Sequence, residues 1–169
     1  IGERHFNEFL NNYLPAKKGP MKRLNGDIIG EHTGLMHYTI GQRKGLQIGG
    51  MKDVVGPWFV VGKSLKDLTL YVEPNGEHEA LYSDEAIIED VILRGDVKEG
   101  RYTAKFRYRQ EDHDVDIEKI EENLYRVNYP QGIKAVTPGQ LCAIYQGDLC
   151  LGGGFIKSVY KKGTLCPYA

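Results

Sequence analysis

Gly26, Gly30, Gly34, Gly41, Gly45, Gly49, Gly50, Gly56 and Gly62 interrupt every apolar stretch between Leu24 and Tyr71. Each interior glycine costs a helix about 1 kcal/mol relative to alanine, so this spacing excludes helices of useful length. What remains is a small, turn-rich central β domain. Its clearest expected strands are Trp58 to Gly62 and Leu68 to Val72, closed by Pro74, Asn75 and Gly76. Upstream, Phe6, Phe9, Leu10 and Tyr13 recur at helical spacing until Pro15, which predicts a short amphipathic N-terminal helix. Lys17 to Arg23 reads as a basic connector. The expected division is therefore 1–23 for helix and connector, 24–77 for the central β domain and 78–169 for a C-terminal domain.

The C-terminal part shows short strand candidates at regular spacing: Ala86 to Leu93, Arg101 to Arg109, Asp114 to Ile120, Leu124 to Tyr129, Gln140 to Gln146 and Leu149 to Tyr160. Such a rhythm predicts a mainly β fold with a small antiparallel β-barrel. Gly147-Asp148 suits a two-residue hairpin turn that pairs Tyr145 with Cys150, because glycine tolerates positive φ. No alternation of strand and helix is present to build a nucleotide-binding sheet.

Charge narrows the function classes. The net charge is -1, with 22 Lys and Arg against 23 Asp and Glu, and neither half of the chain is a polycation. Contact with nucleic acid would have to come from a local patch or from help elsewhere. No apolar run approaches the ~20 residues of a membrane helix, and the first residues lack a signal-peptide core. A cytoplasmic protein without a membrane partner is expected. Cys142, Cys150 and Cys166 form no CxxC and leave one thiol over in any disulfide scheme, which favours a reducing compartment.

Candidates for chemistry are few. Gly152-Gly153-Gly154 with Lys157-Ser158 resembles a phosphate loop only faintly, and a bulge where another backbone approaches closely is the expected reading. His32 and His37 cannot alone make a metal site of three or four ligands, so hydrogen-bonded or surface histidines are expected and no metal. Cys142 and Cys150 are both expected in the core, and Cys166 in an exposed tail; no catalytic residue is assigned.

The segment Arg101 to Arg109 says more. Alternation puts Arg101, Lys105, Arg107 and Arg109 on one face, and Tyr102, Ala104, Phe106 and Tyr108 on the other. The basic face fits phosphate binding. On the residues alone it fits better an ion-paired hairpin in which a loop from Gln110 to His113 sets Arg109 against Asp114, Arg107 against Asp116 and Lys105 against Glu118. Gly41-Gln42-Arg43-Lys44-Gly45-Leu46 should present three long polar side chains outward, and Thr137-Pro138-Gly139-Gln140 reads as an ordinary turn.

Several segments together resemble one family. Ile1-Gly2-Glu3-Arg4, Gly30-Glu31-His32-Thr33-Gly34, Tyr38 through Leu46 (YTIGQRKGL), Trp58-Phe59-Val60-Val61, Arg107-Tyr108-Arg109-Gln110, Ala135 through Gln140 (AVTPGQ) and Cys150 through Gly154 (CLGGG) are similar, in order, to the later part of tRNA-specific 2-thiouridylases. The resemblance implies a C-terminal barrel like those of translation factors. It implies a parent enzyme that adenylates the 2-oxygen of the wobble uridine with ATP and replaces it with sulfur from a cysteine persulfide. The family's nucleotide loop, Ser-Gly-Gly-Val-Asp-Ser, does not occur here, and its second catalytic cysteine falls in a Cys-Phe-Ile-Gly-Glu-Arg stretch of which this chain holds only the part from Ile1.

A non-catalytic C-terminal piece is therefore expected, with ATP confined to the parent's N-terminal domain. The implied partners are the anticodon region of tRNA and a sulfur-relay donor protein. By the same resemblance Arg107, Tyr108 and Gln140 match tRNA-contacting positions, while Gln42, Arg43 and Lys44 would approach RNA or another domain. Strict alternation points Tyr108 inward, so contact requires a strand end or bulge to turn it out. A free-standing translation-factor-like barrel binding RNA or protein, and a docking surface for the sulfur donor, are the rival readings.

Overall fold

Short β-favouring runs separated by glycine turns give strands throughout. The computed structural model describes residues 16–49, 55–95 and 97–166; the helix expected at Phe6 to Tyr13 lies outside them. The chain divides into two compact units, one ending at His78 and the other starting at Glu79.

In the first unit β1 (Gly19–Lys22), β2 (Ile28–His32), β3 (Phe59–Ser64) and β4 (Thr69–Glu73) form one sheet in the order β2-β1-β4-β3. The stretch expected to be a connector thus contributes a central strand. β1 runs parallel to β4, with Met21 beside Leu70, while the two flanking pairs are antiparallel. Sequence reading missed β1 because its GPMK run carries neither alternation nor β-branched residues; its pairing with β4, about 50 residues on, is what makes it a strand. Met21, Val60, Leu70 and Val72 fill the core.

Two polar devices hold this unit. Glu73 is buried, takes two hydrogen bonds from the Arg23 guanidinium at 3.2 and 3.1 Å on one oxygen, and accepts Leu24 N–H at 2.9 Å on the other. The end of β1 is thereby tied to the end of β4. His32 is buried as well. Its Nδ1 accepts Gly34 N–H at 3.1 Å, which leaves the proton on Nε2 to donate to the Leu68 carbonyl at 2.7 Å. Both ring nitrogens are used in the fold, as expected for a hydrogen-bonded histidine.

The second unit holds β5 (Tyr82–Leu93), β6 (Gly100–Lys105), β7 (His113–Glu121), β8 (Leu124–Lys134), β9 (Leu141–Gln146), β10 (Leu149–Lys161) and the short β11 (Thr164–Leu165). The order β10-β5-β8-β7-β6-β9 closes by pairing β9 with β10, giving a six-stranded antiparallel barrel with β11 appended to β10. This is the mainly β, barrel-containing fold that the strand rhythm predicts. Ala86, Ile88, Val127, Ile144 and Ile156 line its interior. Phe106 packs on Tyr129 at 5.0 Å between ring centroids, and the Tyr129 hydroxyl reaches Ser83 Oγ at 3.0 Å.

The glycine run behaves as a bulge. A Cβ on Gly152 would collide with the Ile92 carbonyl, and one on Gly153 with the Cys142 carbonyl, so β10 can pair with β5 and β9 together only without side chains there. Tyr145 stands opposite Cys150, the register expected from the Gly147-Asp148 turn. The placement of the thiols differs in part. Cys142 is buried, but Cys150 is exposed, because it pairs with Tyr145, which alternates with the buried Cys142 and Ile144 and so lies on the outward face.

Candidate functional site

β6 stops at Lys105, four residues earlier than its alternation predicts. The reason lies in the next residues. Gln110 N–H donates to the Arg107 carbonyl at 3.2 Å, and the Gln110 side chain turns back to accept Phe106 N–H at 3.0 Å. Arg107 to Gln110 is therefore a tight turn, with Arg109 in the left-handed region at φ 65°. Phe106 keeps its inward position, whereas Tyr108 is lifted to the corner of the turn and is 90% exposed. The Arg109 guanidinium lies 5.3 Å from the Tyr108 ring centroid.

The hairpin register expected for the basic stripe is wrong by six positions. Asp116 stands opposite Arg101, not Arg107, and Asp114 stands opposite Thr103. The turn consumes residues that uninterrupted alternation would have kept in the ladder. Lys105 instead meets Asp112 at 3.6 Å and holds its ammonium 5.6 Å from the Tyr145 ring centroid. Glu118 pairs with Arg126 at 2.7 Å.

Freed from Asp116, Arg107 turns toward the other loop of the site. Its Nη2 donates to Thr137 Oγ1 at 3.4 Å, and Thr137 Oγ1 donates to the Ala135 carbonyl at 2.9 Å. Burial lowers the Arg107 pKa, although a guanidinium remains charged throughout the physiological range. Thr137, read from sequence as part of an ordinary turn, is the residue that links the two loops. No pattern in the sequence signals that contact.

Gln140 belongs to the same loop. Gly139 N–H donates to the Ile156 carbonyl and Ile156 N–H donates to the Gln140 carbonyl, both at 2.8 Å, so the turn is clamped to β10. Gly139 sits at φ 82°, a conformation that favours glycine. The side-chain Oε1 of Gln140 is buried with no hydrogen-bond partner among the described residues. Arg107, Tyr108 and Gln140 thus come from two loops brought together at one end of the β6–β9 pairing.

Gln42, Arg43 and Lys44 lie in the first unit. Arg43 and Lys44 are exposed, as expected. Gln42 is not presented outward: its Oε1 accepts Thr39 N–H at 2.9 Å and its Nε2 donates to the Lys44 carbonyl at 2.9 Å. The amide acts as an internal brace, since the backbone groups of this tight loop need partners. Among the described residues no three His, Cys, Asp or Glu side chains gather into a metal-binding group, and no helix is long and apolar enough to cross a membrane.

Two family models match the chain. The tRNA methyl transferase PRC-barrel domain matches residues 7–74, and the aminomethyltransferase beta-barrel domain matches residues 80–156. A tRNA-specific 2-thiouridylase of Acholeplasma laidlawii is 63% identical over the whole chain, which covers 45% of that relative. Counterparts of the same name from Phytoplasma australiense and Staphylococcus carnosus are 55% and 54% identical over 95% and 99% of the chain, covering 43% and 45% of their own lengths.

Along its whole length the chain resembles tRNA-specific 2-thiouridylases. It spans less than half the length of these 2-thiouridylases. The Gln42 to Lys44 loop falls within the first matched domain, and Arg107, Tyr108 and Gln140 fall within the second.

Proposed function

We propose that this chain is the RNA-holding part of an enzyme that replaces the 2-oxygen of the wobble uridine of tRNA with sulfur, and that it performs none of the covalent chemistry itself. In that enzyme ATP activates the oxygen and a cysteine persulfide, charged by a sulfur-relay donor, delivers the sulfur; both belong to the part of the protein beyond this chain. The Gly152 to Gly154 run, the one stretch that faintly resembles a phosphate loop, is packed against the neighbouring strands and is not free to cradle a phosphate. Cys142 is buried and its thiol is pushed up to about 12 by desolvation, the opposite of what a persulfide carrier needs. A reducing cytoplasm suits the free thiols of Cys142 and Cys150.

The observation that carries the reading is the turn that exposes Tyr108 between two arginines while Arg107 is anchored on the Thr137 loop. Its parts have distinct uses toward RNA. An exposed tyrosine ring stacks on an unpaired base, a half-buried guanidinium takes a phosphate in a fixed direction, and the partly exposed side-chain amide of Gln140 hydrogen-bonds a base or a 2′-hydroxyl. The target is the anticodon region of tRNA.

The test uses the full-length enzyme containing this segment and measures tRNA affinity across a salt series. Arg107→Ala is expected to weaken binding and to lower the log-log salt slope by about 0.7 to 0.9, the share of one phosphate. Gln140→Ala should weaken binding with the slope retained. Unchanged affinity in both variants would reduce the two loops to a solvated barrel end.

A further inference from the structure

Outward positions on a barrel strand usually carry polar side chains, because that face meets water. On β9 and β10 several do not. Leu141 and Phe155 stand opposite each other in the ladder and remain 53% and 51% exposed. The next row pairs Ala143 with Gly153, and Gly153 in turn lies opposite Ile92 of β5. Between the two rows there is little side-chain bulk, so the face is a flat apolar shelf.

The shelf borders the two-loop site. Leu141 directly follows Gln140, and Ile156, next to Phe155, exchanges both backbone hydrogen bonds with Gly139 and Gln140. Cations flank it on the β6 side. Lys105 stands opposite Ala143 and lies over Tyr145, and Arg107 and Arg109 flank Tyr108. On the β5 side Glu89 faces Phe155, and Lys157 Nζ lies 2.9 Å from its carboxylate, with Asp90 and Glu121 also near Lys157, so the cationic edge of the shelf is the β6 side. Aromatic rings interleaved with cations suit a nucleic-acid strand, whose bases offer π faces and whose backbone offers the charge.

We propose that Phe155, backed by Leu141, is a further binding residue of this site and forms a platform for the face of an unpaired nucleobase of the bound RNA. The inference rests on the reading that Arg107, Tyr108 and Gln140 hold RNA. Neither Phe155 nor Leu141 has a side-chain hydrogen-bonding group, so the platform tolerates any base and contributes affinity rather than sequence choice.

The experiment measures the affinity of the full-length enzyme for a tRNA transcript with uridine at the wobble position, over a potassium chloride series, with a blunt RNA duplex as competitor. Phe155→Ala is expected to weaken tRNA binding about 5- to 150-fold, the worth of one stacked base, with the salt slope unchanged because no phosphate contact is lost. Phe155→Leu, which keeps apolar bulk but removes the ring, should also bind more weakly, and Phe155→Trp should bind at least as well as the parent. Affinity for the duplex should not change. Unchanged tRNA affinity in both Phe155→Ala and Phe155→Leu overturns the platform, as does an equal loss toward the duplex. If Arg107→Ala still weakens binding in that case, the two-loop site stands without it; if Arg107→Ala is silent too, both readings fall.

Discussion

Individual side chains show how far local context departs from residue type. Three cysteines of one chemistry occupy three environments: Cys142 sealed in the barrel, Cys150 exposed beside its tight turn, and Cys166 partly covered near the end of the described residues. Thiolate, not thiol, reacts, so alkylation at pH 8 should modify Cys150 rapidly and Cys142 only on unfolding, which peptide mapping after timed iodoacetamide exposure would read. Fast labelling of Cys142 would mean that the barrel opens locally. The same burial has a consequence for stability. Cys142 is raised from 9.0 to about 12 in the folded protein. Its contribution is therefore present below about pH 9 and is lost as pH rises toward 12, because the unfolded chain releases a proton that the native state keeps. Denaturant titrations between these values should show stability falling with pH, and Cys142→Ala should flatten part of that fall.

Among the elements, β10 carries the heaviest constraint. It pairs with β5 on one side and β9 on the other, and that closure depends on glycine at two successive positions. Gly153→Ala places a methyl group against the Cys142 carbonyl, a backbone atom that cannot move without its strand. Overpacking of this kind costs about 1–3 kcal/mol, and a backbone collision belongs at the upper end. A thermal melt should show the loss, whereas Gly147→Ala, with no atom within 4 Å of the added Cβ, should be penalised only for its φ of 57°. Equal melting temperatures for Gly153→Ala and the parent would contradict the packing described for β10. The glycine bulge was legible because three consecutive glycines in a strand have few other uses. The end of β6 was not, since RYRQ alternates well enough to continue a strand, and the turn is made by Gln110 reaching back to Phe106.

For the chain as a whole, near-zero net charge limits what it can do alone. With two to four phosphates contacted, its tRNA affinity should fall with a log-log salt slope of roughly -1.4 to -3.6, and a much steeper slope would reveal a larger basic surface. The isolated chain should incorporate no sulfur into tRNA, measured by the appearance of 2-thiouridine after nuclease digestion. Any sulfur transferred by this chain alone would overturn the division of labour proposed for it. Exposed ion pairs such as Arg101–Asp116, at 3.7 Å, should matter little to either measurement, since solvent screens them.

Sequence alone determined that this is a β protein with an antiparallel barrel, because glycine spacing and strand rhythm are local properties that each segment carries with it. It also determined the family resemblance and the residues Arg107, Tyr108 and Gln140 that the resemblance singles out. Tertiary structure decided what those residues face. Whether Arg107 meets Asp116 or Thr137 depends on a register shifted by six residues, and whether Tyr108 points in or out depends on where β6 ends. The exposure of Phe155 beside Gln140 likewise follows from the closure of β9 on β10. Register and closure are set by contacts between segments far apart in the chain, and period-two alternation, identical for a strand and for its six-residue slip, carries no information about them.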